Sequence, residues 1–204
     1  MIDAALRPRL AGGVDRLARA IDRPVATPAR LTLLGLALGL GGAVAAAGRW
    51  WWAAALLWIA SRVADGLDGA LARRRTPGPS SAGGFLDISV DFVVYGAFVV
   101  GVAVGASEQM LPFLLVLFAY YVNGSAFLAF SAAAERSSAR IDDGRSLSFL
   151  GGLAEGTETV LVHTLWCLIP WWAAQVAWVW AAFVLLSGAQ RIVVGYRALS
   201  AAAR

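Results

Sequence analysis

Apolar runs of about twenty residues dictate what this chain can fold into. Leu31 to Ala47, Ala53 to Ala72, Phe85 to Gly105, Leu111 to Ala134, Leu147 to Ile169 and Ala173 to Ala198 each have roughly the length of a helix that crosses a bilayer. Within hydrocarbon every backbone N–H and C=O must find its partner inside the segment, which a helix achieves. The chain therefore reads as an all-α integral membrane protein of about six transmembrane helices. Its 15% charged and 59% hydrophobic residues agree, since soluble domains are about one quarter charged. With 204 residues there is no room for a separate soluble module, so 1–204 is a single membrane-embedded domain with its transmembrane bundle at 31–198.

Residues 1–24 precede the first run. Leu6, Leu10, Val14, Leu17 and Ile21 recur at spacings of four and three with arginines between them. That pattern is an amphipathic juxtamembrane helix whose arginines meet anionic headgroups, or, alternatively, a helix packed on a partner. Pro24 and Pro28 end it. Because the first apolar run begins only near Leu31, no signal peptide is expected.

All 17 basic residues are arginines. Schiff-base lysine chemistry and a P-loop lysine are thereby excluded. The arginines cluster in the N-terminal segment, after the second and fourth spans and at the C-terminus, whereas Arg49 stands on the other side beside Trp50, Trp51 and Trp52. Positive charge retained on one face, with tryptophans here and at Trp171 and Trp172 on the opposite face, places both termini in the cytoplasm of a cell whose plasma (inner) membrane holds the protein. The net charge of +4 follows topology and calls for no nucleic acid. The lone Cys167 excludes an internal disulfide, and His163 reads as a packed or hydrogen-bonded residue rather than a ligand.

Against this background the stretch from Asp65 to Asp91 stands out. Asp65 and Asp68 are three residues apart, Asp87 and Asp91 four, so each pair lies on one face of a helix. The prolines and glycine of Thr76-Pro77-Gly78-Pro79 let the second helix fold back on the first. Four carboxylates would converge, and hard oxygen donors suit Mg²⁺, Mn²⁺ or Ca²⁺. The bland alternative is a set of solvated loop acids, but both pairs abut membrane spans, where acids are costly.

Asp65-x-x-Asp68-Gly69-x-x-Ala72-Arg73, then nine residues, then Gly83-x-x-x-Asp87-x-x-x-Asp91, resembles the signature of the CDP-alcohol phosphotransferase family. The motif covers 27 residues, and the helices around it extend the resemblance to most of the chain. The resemblance implies a phospholipid-synthesis transferase that moves a phosphatidyl group from a CDP-alcohol, most often CDP-diacylglycerol, to the hydroxyl of an alcohol acceptor with release of CMP. It further implies two divalent cations, Mg²⁺ or Mn²⁺, on Asp65, Asp68, Asp87 and Asp91. Asp91 would also take the acceptor's proton. Gly69, Ala72, Arg73 and Gly83 would border the nucleotide, although Gly69 and Ala72 could equally serve close helix packing. A homodimer is implied too, and the charge asymmetry puts the active site on the cytoplasmic side. One departure stands out: where the family often has Pro-Asn, this chain has Pro28-Ala29, and Thr32 is the nearby hydroxyl that would compensate.

The acceptor is left open. Glu155 and Glu158 could receive a cationic head or pair with Arg191 or Arg145 as structural salt bridges, while Arg136, Arg140, Arg145 and Arg191 could clamp an acceptor phosphate. Three rivals remain: transfer from a soluble CDP-choline or CDP-ethanolamine to diacylglycerol, an intramembrane prenyltransferase, and a divalent-cation transporter. The prenyltransferase is disfavoured because its acidic motifs lie farther apart. The transporter is disfavoured because the outer halves of the spans lack acids.

Overall fold

The computed structural model describes residues 2–75, 80–106, 109–137, 151, 152 and 154–202 of the chain. Among them the regular structure is helical: α1 (Ile2–Ile21), α2 (Pro28–Ala47), α3 (Trp51–Arg75), α4 (Ser81–Ala106), α5 (Leu111–Ala134), α6 (Gly156–Leu168) and α7 (Ala173–Ala202), with a single 3₁₀ turn at Pro170–Trp172 before α7. Helix α2 packs against α3 and α4, α5 pairs with α7, and α1 lies against α3 and α6.

Four helices have both the length and the apolarity to cross a membrane: Pro28–Ala47, Ser81–Ala106, Leu111–Ala134 and Pro170–Ala202. Helix α3 is long enough, at 25 residues, but carries Arg62, Asp65, Asp68 and three terminal arginines. Helix α6 has only 13 residues, about 20 Å at 1.5 Å each, and starts at Gly156 rather than near Leu147. The first part of that expected fifth span lies outside the described residues. Many large apolar side chains, among them Leu56, Phe118, Val179 and Leu186, are exposed in the way a lipid-facing surface requires.

Three stripes explain how α2, α3 and α4 come together. Thr32, Gly35, Gly39, Gly42 and Ala46 recur along α2 at alternating steps of three and four; so do Ala54, Trp58, Ser61, Asp65, Asp68 and Ala72 on α3, and Asp87, Asp91, Val94, Phe98, Gly101 and Gly105 on α4. Such steps keep one face in register over several turns. The glycines let backbones approach closely. A Cβ on Gly39 would sit 2.5 Å from Val94 Cγ1, and one on Gly101 or Gly105 would overlap the carbonyl oxygen of Ala43 or Ala46.

The turns are equally specific. Thr27 caps α2, its hydroxyl accepting the Arg30 N–H at 3.3 Å, and Pro28 takes the first helical position. At the other end Arg49 adopts a left-handed φ of 62°. The Arg49 and Trp50 N–H groups return to Ala46 and Ala45 at 2.9 and 2.8 Å, the usual way a helix satisfies its last carbonyls. A glycine normally sits there, and what the arginine adds is visible: its Nε donates to the Gly105 carbonyl at 2.8 Å, tying the end of α4 to this turn. Two tryptophan clusters meet beside it. A cavity of about 480 Å³ is lined by Arg49, Trp50, Trp51, Pro170 and Trp171 among others, which sets α3 and α6 antiparallel when combined with the Trp58 indole N–H donating to the Val160 carbonyl.

Midway along the bundle a polar thread runs through the core. The Trp180 indole N–H donates to the Tyr120 hydroxyl, which is 2.8 Å from His163 Nε2, and the imidazole is sandwiched by Phe98 and Trp166. His163 is thus a packed, hydrogen-bonded residue, as expected of it.

Candidate active site

At the end of the bundle away from the tryptophans, the three stripes finish in polar residues. Oxygen atoms of Asp65, Asp68 and Asp87 lie within 4.8 Å of one another, two from α3 and one from α4. The expected convergence of the two helices therefore occurs. The Thr32 hydroxyl, on the matching stripe of α2, donates to Asp68 Oδ2 at 2.5 Å. The same hydroxyl is 3.1 Å from the Pro28 carbonyl of its own helix, so Thr32 links the first turn of α2 to Asp68.

Asp91, one turn further along α4, is oriented differently. Its Oδ1 accepts from Nη1 of Arg62 at 2.5 Å, and the same nitrogen stands 3.8 Å from Asp65 Oδ2. Arg62 escapes the sequence reading altogether. Its side chain is only 7% exposed. It donates through Nη2 to Ser61 Oγ at 3.0 Å, and Ser61 in turn donates to the Gly35 carbonyl at 2.7 Å. The guanidinium carbon lies 5.2 Å from the Trp58 ring centre and 4.9 Å from that of Tyr95. Four acidic groups and one arginine thus form one electrostatic unit, in which a fixed cation already answers part of the negative charge.

Gly69 and Ala72 continue the α3 stripe toward the helix end. The only atom a Cβ on Gly69 would meet is Nη1 of Arg73, four residues on, at 3.3 Å. No neighbouring helix packs there among the described residues, so close helix packing does not account for this glycine. Arg73 itself is exposed. Gly83 lies inside the first turn of α4 instead of in a turn ahead of it: the helix starts at Ser81, and the Gly83 N–H donates to Ser80 Oγ at 3.2 Å. A serine cap lengthened the helix beyond the apolar run that begins at Phe85.

Arg74 and Arg75, expected as plain flanking charges, are tied to α1. Arg75 Nη2 is 2.6 Å from Asp22 and Arg74 Nη1 is 3.4 Å from Asp15. The guanidinium of Arg75 holds the Asp22 carboxyl below its ordinary range. On α1, Ala18 is buried and Leu17 is 53% exposed, so the helix docks on its neighbours through a small residue and charge pairs. Leu6 and Leu10 belong to the part of α1 whose side chains lie outside the description.

Of the suggested acceptor residues, Glu158 and Glu155 lie within a turn and a half of Val160 on the side of α6 that faces away from the tryptophans, and Arg191 lies on α7. Arg191 is 6% exposed and donates to Asn123 Oδ1 at 3.2 Å, with its guanidinium carbon 5.6 Å from the Phe127 ring centre. Glu158 is buried in the first turn of α6. Glu155, in contrast, precedes that helix in extended conformation and accepts the Gly152 N–H at 3.1 Å, so the two glutamates do not share a helical face. Arg136 is exposed beyond α5, and Arg140 and Arg145 lie outside the described residues.

The donor set fits a hard divalent cation: charged oxygens, no sulfur or imidazole, from two helices held rigidly by close backbone contact. Comparison with known proteins points the same way. The chain is 41% identical over 209 residues to the inner membrane protein YnjF of Escherichia coli, covering all of both chains. It is 36% identical over 112 residues to the archaetidylinositol phosphate synthase of Methanothermobacter thermautotrophicus, 54% of this chain and 55% of that one. Among solved structures, the phosphatidylinositol phosphate synthase PgsA1 of Mycobacterium tuberculosis with CDP-DAG bound superposes with a TM-score of 0.72 over 90% of this chain and 93% of its own, at 23% identity. The same enzyme in complex with manganese and citrate gives 0.72 over 90% and 88%. The sequence profile of the CDP-alcohol phosphatidyltransferases matches residues 25–187, which takes in α2 to the middle of α7 and the whole acidic cluster. With its motif, its helical membrane fold and most of its length in agreement, this chain belongs to the CDP-alcohol phosphatidyltransferase family, enzymes that transfer substituted phosphate groups.

Proposed function

We propose that the protein transfers a phosphatidyl group from CDP-diacylglycerol to the hydroxyl of a phosphorylated polyol, releasing CMP, at the cytoplasmic boundary of the inner membrane. The observation that carries this reading is the gathering of Asp65, Asp68 and Asp87 within 4.8 Å at the end of a lipid-embedded bundle. A site at that depth can take one lipidic and one polar substrate. Support for the donor comes from PgsA1 with CDP-DAG bound, and for the ion from PgsA1 in complex with manganese.

Asp65, Asp68, Asp87 and Asp91 would hold Mg²⁺ or Mn²⁺, which when bound neutralises charge on the transferred phosphoryl group and on departing CMP. Thr32 keeps the Asp68 carboxylate turned into the site. Asp91 takes the acceptor's hydroxyl proton at the oxygen that Arg62 does not hold. The open face over Gly69 and Ala72 receives the nucleotide, and Arg73, exposed beside it, meets the nucleotide phosphates with its forked donors. Gly83, in the first turn of α4, borders the same space.

For the acceptor, Arg191 supplies a buried cation held by Asn123 and flanked by Phe127, suited to a phosphate, with Glu155 and Glu158 nearby for hydroxyls. One relative is named an archaetidylinositol phosphate synthase and the structural neighbour a phosphatidylinositol phosphate synthase, which supports a phosphorylated polyol. The test is CMP release from CDP-diacylglycerol by the purified protein with Mn²⁺ and, in separate reactions, inositol phosphate, glycerol phosphate, serine, choline or ethanolamine. Release with a phosphorylated polyol alone, abolished by Asp91→Asn, is expected. Release without divalent cation would overturn the active-site reading, and turnover of choline or ethanolamine instead would overturn the acceptor.

A further inference from the structure

We infer that Arg62 is a built-in counter-ion that competes with the divalent cation for the acidic cluster and positions Asp91 for turnover. This rests on the metal-site reading above.

The argument starts from cost. An arginine whose side chain is only 7% exposed, packed among apolar helices, needs firm partners to be tolerated. Arg62 has them at both terminal nitrogens and over its aromatic neighbours, while its Nε is buried without a hydrogen-bond partner. The rings of Trp58 and Tyr95 flank its plane, Ser61 fixes Nη2, and Asp91 fixes Nη1. Ser61 is itself anchored to the α2 backbone at Gly35, so the guanidinium cannot swing out without disturbing the contact between α2 and α3. The aromatic walls are anchored in turn: Trp58 donates to the Val160 carbonyl and stacks near His163, whose Nε2 is paired with Tyr120.

A unit positive charge thus stands permanently between Asp91 and Asp65, at 2.5 and 3.8 Å from their oxygens. Two consequences follow. The charge lowers the cluster's attraction for any divalent cation, because like charges repel across a few ångströms of low-dielectric interior. It also removes one lone-pair direction of Asp91 from competition, so the second oxygen faces the site in one orientation. Arg62 is a positioning residue in this scheme: it exchanges some metal affinity for a fixed Asp91.

Mn²⁺ binding to the purified protein, measured by titration calorimetry without substrates, tests this directly. Arg62→Met fills the slot between the two rings, and Arg62→Gln keeps a donor to Asp91; both remove the charge. Each is expected to bind Mn²⁺ about tenfold more tightly than the parent, while kcat for CMP release falls and the KM for donor changes little. Arg62→Lys restores the charge without the fork and is expected to return the Mn²⁺ affinity to within about threefold of the parent. A structural role alone would weaken Mn²⁺ binding in the neutral variants and would not be rescued by lysine, so unchanged or weaker binding in the folded neutral variants overturns the inference. Asp68→Asn separates the two readings. If it and the parent bind Mn²⁺ alike, or neither binds, the metal site itself is wrong and the role of Arg62 falls with it.

Discussion

Divalent cation should stabilise the fold by an amount the cluster geometry bounds. Oxygen atoms of Asp65, Asp68 and Asp87 are at most 4.8 Å apart. At an effective dielectric of about 20, each fully charged pair repels by about 3.5 kcal/mol, and Arg62 and Thr32 answer only part of that. A bound divalent ion relieves it. Held at a hundredfold excess over Kd, Mn²⁺ contributes about 2.7 kcal/mol of stability, which for a chain of this length raises Tm by roughly 5–10 °C. Thermal unfolding in detergent, followed by the fluorescence of the nine tryptophans, should therefore show a large upward shift with Mn²⁺ that excess chelator reverses. Asp68→Asn sharpens the test. Its amide carbonyl can still accept from Thr32, so the hydrogen bond survives while two repulsive pairs vanish. The metal-free variant should unfold at or above the parent's metal-free Tm and respond little to Mn²⁺. An identical Mn²⁺ shift in parent and variant, or a chelator with no effect on either, would refute the reasoning.

Three further outcomes follow from contacts away from the cluster. Gly101→Val should cost about 1–3 kcal/mol, because its Cβ overlaps the backbone of α2 at Ala43, whereas Gly83→Ala, whose Cβ meets only Ser80 at 3.5 Å, should leave Tm nearly unchanged. Tyr120→Phe leaves the Trp180 N–H and His163 Nε2 without their shared partner and should cost about 1–3 kcal/mol in the same melt with CMP release per folded protein unaltered. Asp22, held below its ordinary range by Arg75, contributes to α1 docking fully above the unfolded carboxylate value of about 3.9 and loses that contribution as pH falls through its lower folded value. A spin-label distance between α1 and the C-terminal end of α3 should hold steady from pH 8 to 5 and broaden only in stronger acid, and Asp22→Asn should show the broad distribution throughout.

What was legible in the sequence divides along a physical line. The alternating steps of three and four that bring Thr32, Asp65, Asp68, Asp87 and Asp91 to one end are local periodicity, and periodicity survives without knowledge of partners. The convergence of acids followed from it, while the packed role of His163 followed from its standing alone in an apolar run. Partnerships across the bundle did not. Arg74 and Arg75 meet acids more than fifty residues away, on α1 and just after it, and Glu155 stands at the cap of α6 in extended conformation, its side chain accepting the Gly152 N–H. Arg62 is invisible to the distribution of arginines over loops and termini, because its charge lies within a helix and is answered by partners on a neighbouring one. A usable signal was present all the same: an arginine three residues before Asp65, in an apolar run, must find an anion or an aromatic wall. Since Asp91 lies on the helix that the motif itself folds back, that anion was already determined. The same geometry that concentrates four acids at the end of the bundle therefore makes a site for a buried cation beside them, and the arginine that fills it answers part of their negative charge from within the chain.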